Sequence, residues 1–101
     1  MIVTLRQLEY LVAVSENGSY SKGAESCHAE QSTLSHQIKL VEEKLGVEIF
    51  IKGSIPITPT KQGKEVINQA KYILAKVNEL IAPFKNPVDP KSRKNHFQFK
   101  E

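Results

Sequence analysis

Apolar residues return at three- and four-residue intervals through the first half of the chain. Leu5, Leu8, Leu11, Val12 and Val14, with Ile2 ahead of them, are interleaved with Arg6, Gln7, Glu9 and Glu16, which predicts a first helix. Thr4 is placed to cap its start and Asn17-Gly18 to stop it. A second, short helix fits Ser21 to Cys27, with Ser19 or Ser21 as cap and Ala24 and Cys27 facing inward. After a break at His28-Ala29-Glu30, the set Leu34, Ile38, Val41 and Leu45 predicts a third helix over Gln31 to Leu45, ended by Gly46. Two short helices joined by a tight turn and packed across the first form a helix-turn-helix.

From Val47 the period changes to two. Val47, Ile49 and Ile51 alternate with Glu48 and Phe50, Lys52-Gly53-Ser54 offers a turn, and Ile55-Pro56-Ile57-Thr58 returns. This predicts a small β-hairpin with Pro56 confining its second strand to an edge, so the helix-turn-helix is winged. Thr60 then caps a long helix over Lys61 to Ala82, closed by Pro83. Ile67, Ala70, Leu74, Val77 and Ile81 line one side of it, and Val66, Ile73 and Leu80 add a second line at seven-residue intervals. Such a wide apolar face serves either pairing with a second helix or completion of a small core. The expected fold is mainly α: a winged helix-turn-helix over residues 1–60, a long helix over 61–82, and a basic, flexible tail over 83–101 in which Phe97 and Phe99 are candidates for docking.

The chain has 101 residues, 40% hydrophobic and 25% charged, which fits one folded domain with an appendage. No apolar stretch is long enough to span a bilayer, and the start lacks the pattern of a secretory signal, so a cytoplasmic protein with no membrane partner is expected. The formal charge of +3 is unevenly placed. Residues 83–101 hold five basic and two acidic side chains and carry the whole excess, while residues 1–82 balance at nine of each. Composition by itself therefore gives no strong case for nucleic-acid binding by the body.

Catalytic chemistry finds little support. His28, His36 and His96 lack the spacing of metal ligands, and no Ser/His/Asp set, phosphate-cradling glycine loop or paired carboxylate is evident. No enzyme activity, metal or cofactor is expected. The third helix is more informative. With its apolar residues inward it displays Gln31, Ser32, Thr33, Ser35, His36 and Lys39. Short hydroxyls and amides can donate and accept at base edges, and glutamine can pair with adenine through two bonds. A merely solvated polar face would read the same way. Ser21, Lys22 and Lys52 are candidates for contacts to a phosphate backbone, though any of them also reads as an ordinary surface residue.

The run Leu5-Arg6-Gln7-Leu8-Glu9-Tyr10-Leu11-Val12-Ala13-Val14, followed by Gly18-Ser19-Tyr20-Ser21, resembles the opening of LysR-type transcriptional regulators. So do Leu34-Ser35-His36-Gln37-Ile38 and Glu42-Glu43-Lys44-Leu45-Gly46-Val47 with Phe50, and the step from Thr60 to Gly63 into the long helix. Ala24-Glu25-Ser26-Cys27-His28 and Thr33-Leu34-Ser35 lean toward the OxyR branch of that family. The likeness covers residues 1 to about 82, without a gap. It implies a winged helix-turn-helix that sets the third helix in the DNA major groove, with the wing near the backbone and adjoining minor groove. It also implies that the long helix pairs with its twin as an antiparallel linker, through Val66, Ile67, Ala70, Ile73, Leu74, Val77, Leu80 and Ile81. Regulators of this type continue into an effector domain that binds the inducing signal. Residues 83–101 do not resemble its first strand, so no small-molecule inducer is expected to bind this chain. Cys27 lies on the apolar side of a short helix and reads as packing rather than as a redox centre.

The chain departs from the family pattern at the surface that matters. Glu30-Gln31-Ser32 stands where Ser-Gln-Pro is usual, which brings a weaker cap and a negative charge toward the phosphates. His36 and Leu40 stand where basic residues are frequent, Ile55 and Pro56 replace the usual basic pair on the wing, and Gly23 replaces an alanine. Two functions follow. One is a sequence-specific, dimeric regulator that binds double-stranded DNA. The other is an interaction module that forms a heterodimer with a full-length regulator through the linker helix and modulates it.

Overall fold

A computed structural model describes residues 2–85 of the chain; the basic tail beyond Lys85 lies outside the described residues. Its helices are α1 (Leu5–Asn17), α2 (Tyr20–Ser26), α3 (Gln31–Leu45) and α4 (Lys61–Lys85). The start of α1 is fixed by a reciprocal pair of bonds: Gln7 N donates to Thr4 Oγ1 at 3.1 Å and Thr4 N to Gln7 Oε1 at 2.9 Å. Gln7 Nε2 donates onward to Gln37 Oε1 on α3 at 2.8 Å. A residue that the pattern puts on the outer face is thus buried between two helices, with its polar atoms satisfied. Gly18 in a left-handed conformation ends α1, as expected.

Helix α2 begins one residue before its expected start. Of the two serines that could cap it, Ser19 does so, accepting from Lys22 N at 3.1 Å. It crosses α1 closely enough that a Cβ on Gly23 would lie 3.1 Å from Val14 Cα. The glycine costs about 0.5–1 kcal/mol of helix stability, and the close approach is what it makes possible. Ala24 is buried, whereas Cys27 at the helix end is only half-buried. The core gathers Tyr10, Leu11 and Val14 of α1, Leu34, Ile38 and Val41 of α3, Ile49 and Phe50 of the wing, and Ile67 of α4. Leu5 and Leu45, expected inside, stand at the rim and are exposed.

The wing is shorter than the hairpin the sequence predicts. Its backbone pairs at one antiparallel bridge, Phe50 with Pro59, flanked by Ile51 N to Thr58 O (2.8 Å) and Thr60 N to Ile49 O (2.9 Å). Ile55 and Ile57 belong to the turn rather than to a strand. Side chains take the donors that would extend the ladder: Glu42 Oε2 accepts from Ile49 N at 2.8 Å, and Ser54 Oγ from Thr58 N at 3.0 Å. Pro59, with no N–H, sits where the ladder asks for none. The expected alternation fails too, because Ile49 and Phe50 are both buried while Ile51 is exposed.

Thr60 caps α4 by accepting from Gly63 N at 2.9 Å. The helix does not end before Pro83 as expected but runs through it to Lys85. Proline's fixed φ suits a helix, and the bond it removes is the one to the exposed Glu79 one turn earlier. Ile67 and Ala70 pack this helix onto its own domain, and Lys71 Nζ lies 3.8 Å from Glu16 Oε2 of α1. Among the described residues no helix is long and apolar enough to cross a membrane.

Candidate nucleic-acid interface

Burial of Leu34, Ile38 and Val41 fixes the rotation of α3, and the opposite side of the helix follows from that. Gln31, Ser32, Thr33, His36 and Lys39 are exposed, and Ser35 is half-buried beside them. All six residues singled out on the third helix therefore border one surface. Glu43, seven residues after His36, is exposed on the same side and escaped the sequence reading. The seven-residue step from His36 is the signal in the sequence that puts this acid there.

The N-terminus of α3 is bare. Glu30 takes the cap position with extended backbone, but its side chain makes no capping bond, so the first amides of the helix have no side-chain acceptor from it. Next to this end lies an open cleft of about 310 Å³ between the α1–α2 turn, Gln31 and the wing turn. Ser19, Ser21 and Gln31 form one wall, and Ser54 to Ile57 the other. Of the predicted backbone contacts, Ser21 lines this cleft, while Lys22 is exposed on α2 and Lys52 in the wing turn. Ser19 and Ser54 also line the cleft, and the sequence does not mark them for it, because each looks like a turn or cap residue and serves as one.

Electrostatics at this face are mild. Arg6, the arginine of α1, does not reach toward it as a free cation: it donates to Glu9 Oε1 at 3.0 Å and to the Cys27 carbonyl at 2.8 Å, and lies 4.9 Å from the Tyr10 ring. The bond to Glu9 first, and the interaction with Tyr10 second, raise its already high pKa. Tyr20, edge-on to Phe50 at 6.1 Å, holds its phenol proton more tightly than usual because of burial and then because of the Glu42 charge. Among the described residues no group of three His, Cys, Asp or Glu side chains is placed to hold a metal.

On the far side of the domain, the start of α1, the end of α3 and the middle of α4 enclose an apolar groove of about 680 Å³. Leu5, Leu8, Val41, Leu45, Val66 and Ile73 line it. The predicted pairing residues of α4 divide. Ile67 and Ala70 are consumed by the chain's own core, Val66 is half-buried at the groove, and Ile73, Leu74, Val77, Leu80 and Ile81 remain wholly or partly open.

Residues 5–64 match the model of the bacterial regulatory helix-turn-helix protein, lysR family. The chain belongs to that family. Its relatives include the DNA-binding transcriptional dual regulator OxyR of Escherichia coli, 38% identical over 78 residues that make up 77% of this chain and 26% of OxyR. The transcriptional regulator MetR of Haemophilus influenzae is 42% identical over 72 residues, 71% of this chain and 23% of MetR. The lysR-family domain described here thus spans about a quarter of the length of the curated relatives it matches. Its fold is that of the BenM DNA-binding domain, solved in complex with catB site 1 DNA, with a TM-score of 0.77 and 35% identity over 79% of this chain and 89% of that one. Full-length OxyR from Pseudomonas aeruginosa gives a TM-score of 0.73 and 33% identity over 83% of this chain and 30% of that one. The relatives are transcriptional regulators, and the sequence likeness to the OxyR and MetR openings agrees with the fold.

Proposed function

We propose that the chain is a sequence-specific reader of double-stranded DNA that regulates transcription from the cytoplasm, as a homodimer and without a catalytic step or cofactor. Residues 1–60 would do the reading and the following helix the pairing. The observation that carries this is the polar face of α3, where Gln31, Ser32, Thr33, His36 and Lys39 are free while the opposite side holds the core. Their hydroxyl, amide and imidazole groups match the donor and acceptor pattern of the major groove. The likeness to BenM_DBD, whose structure holds DNA, supports the same face as the one that meets the duplex. Ser21, which lines the cleft beside Gln31, and the exposed Lys22 and Lys52 are assigned to phosphates, which fix position without reading sequence.

Pairing is supported by two features that complement each other. The apolar groove lacks a cover, and the end of α4 carries Leu74, Val77, Leu80 and Ile81 beyond the core, with Leu80 69% exposed. An antiparallel partner would lay that end of its own α4 along the groove, and the contact would be reciprocal in a two-fold dimer. The same surfaces would accept the linker helix of a full-length regulator. That second reading is favoured by Glu30 and Glu43, two acids at the face that would meet phosphates.

Titration against a pool of genomic DNA fragments at two salt concentrations separates the readings. A DNA reader enriches particular fragments, and its affinity falls with a log–log slope of about −0.9 per phosphate neutralised. If no fragment is enriched over bulk DNA, the interaction module is the better account.

A further inference from the structure

The apolar groove between the start of α1, the end of α3 and the middle of α4 is open when the chain is alone. Leu5, Leu45 and Ile73 on its walls are each 40–41% exposed, and apolar side chains gathered in this way gain by being covered. Among the described residues Glu65 is the one charged group lining the groove. It stands at the end nearest the start of α4, and Ile73 marks the other end.

The tail contains a segment that suits this surface. It lies outside the described residues, so its residue order and its length are what bear on the groove. Phe97 and Phe99 flank Gln98, and an extended segment of that pattern turns both rings to one side, about 7 Å apart. The wall from Ile73 to Val66 is about 10 Å long. A strand entering from the far end of α4 would bring Phe97 to Ile73, Phe99 to Val66 and Lys100 to Glu65, so apolar and charged positions fall in the same order on both. Reach permits it: Ile73 lies twelve residues before the end of α4, about 18 Å along its axis, whereas residues 86–96 span up to about 36 Å. The reversal falls where Asn86-Pro87 and Asp89-Pro90 stand, pairs that favour the start of a turn. A tethered segment also has an effective concentration on the order of millimolar, so it reaches the groove ahead of a dilute second copy.

We propose that the groove is a docking site for this chain's own tail, which seats Phe97 and Phe99 there and has to leave before the helix of a second copy can pair on the same surface. The competition rests on the pairing reading argued above; the docking does not. Apolar burial of the two rings supplies the attraction, and the exposed pair of Lys100 with Glu65 sets direction more than strength. The tail thereby raises the concentration at which the chain assembles.

The test uses the full chain with isotope-labelled methyl groups, carrying Leu74→Lys and Val77→Lys to keep it monomeric; both positions lie outside the groove lining. Methyl resonances of Leu8, Leu45, Val66 and Ile73 shift when Phe97→Ser and Phe99→Ser remove the two rings, and the resonances of the ring-bearing chain do not change on dilution, as a contact within one chain requires. Without the two lysines, the same serine pair tightens the dimer by about tenfold or more, because the groove no longer has to be emptied. Methyl resonances that ignore the serine pair overturn the docking and leave the groove to a second copy. Resonances that change on dilution place the tail in another chain's groove and overturn it equally. If the methyls respond but the dimer does not tighten, tail and partner helix do not share the surface, and the competition is overturned. If neither chain dimerises, the pairing reading fails and the competition with it, while the methyl response still decides the docking.

Discussion

Gly63 on α4 touches the carbonyl of Ile49 so closely that a Cβ at position 63 would lie 2.0 Å from that oxygen. The oxygen cannot retreat easily, because it accepts from Thr60 N at 2.9 Å while Ile49 N is held by Glu42. The long helix and the wing are thus joined backbone to backbone at a point where only hydrogen fits.

Gly63→Ala sets two effects against each other. Alanine favours the helix by about 1 kcal/mol, while forcing a methyl into a closed contact costs about 1–3 kcal/mol or more. Overlap with backbone lies at the upper end of that range, so a net loss of about 2 kcal/mol is expected. Urea unfolding measures it directly. An alanine variant as stable as the parent would show that the helix can lift off the wing at no cost.

Tyr20 gives the fold a dependence on alkaline pH. Burial first, and the Glu42 charge second, raise its pKa above the ordinary 10.0. A folded state that holds the proton more tightly has its full advantage below the unfolded pKa and loses it as pH rises through the folded one. Stability should therefore fall from about pH 10 upward, and Tyr20→Phe should flatten that part of the curve. The comparison is of urea midpoints between pH 9 and 11, chosen to bracket the ordinary phenol value of 10.0. Identical profiles for variant and parent would remove Tyr20 as the cause.

What the sequence displays depends on whether a residue's role is local. The helix starts at Thr4 and Thr60 and the stop at Gly18 are visible because capping is decided within three or four residues. The polar face of α3 is visible because three buried residues fix its rotation. Gln7 is invisible, since its burial depends on Gln37, thirty residues away. The alternation overextends the wing because Glu42 and Ser54, both outside the paired segments, take donors that it assigns to a ladder. The long helix misled in the other direction: periodicity groups Ile67 and Ala70 with Leu74 and Val77, and only packing against α1 separates the core residues from those left over.

That division yields a test of pairing that does not disturb folding. Leu74 and Val77 lie outside the core, so lysine at both should leave the unfolding transition of the monomer in place. Two charges in an apolar seam would nevertheless prevent association. Sedimentation should show a dimer for the parent and a monomer for the double variant. A parent already monomeric at tens of micromolar, weaker than about −6 kcal/mol, would end the homodimer reading.

The face of α3 allows opposite effects to be read from neighbouring positions. Glu43 is an exposed acid on the side that carries His36 and Lys39, and near a duplex it repels every phosphate alike. Glu43→Gln should therefore strengthen binding to all duplexes at low salt, and the gain should fade as salt screens the charge. Gln31 and Thr33, uncharged and exposed at the first turn, should act on the difference between sites. Gln31→Ala or Thr33→Ala should narrow the gap between a selected duplex and random DNA by about 1–3 kcal/mol, with the salt slope kept. Binding isotherms for both duplexes at two salt concentrations give all of these quantities. If Glu43→Gln had no effect at low salt, and Gln31→Ala lowered both affinities together, the two residues would not share a DNA-facing surface, and the orientation proposed for α3 would be wrong.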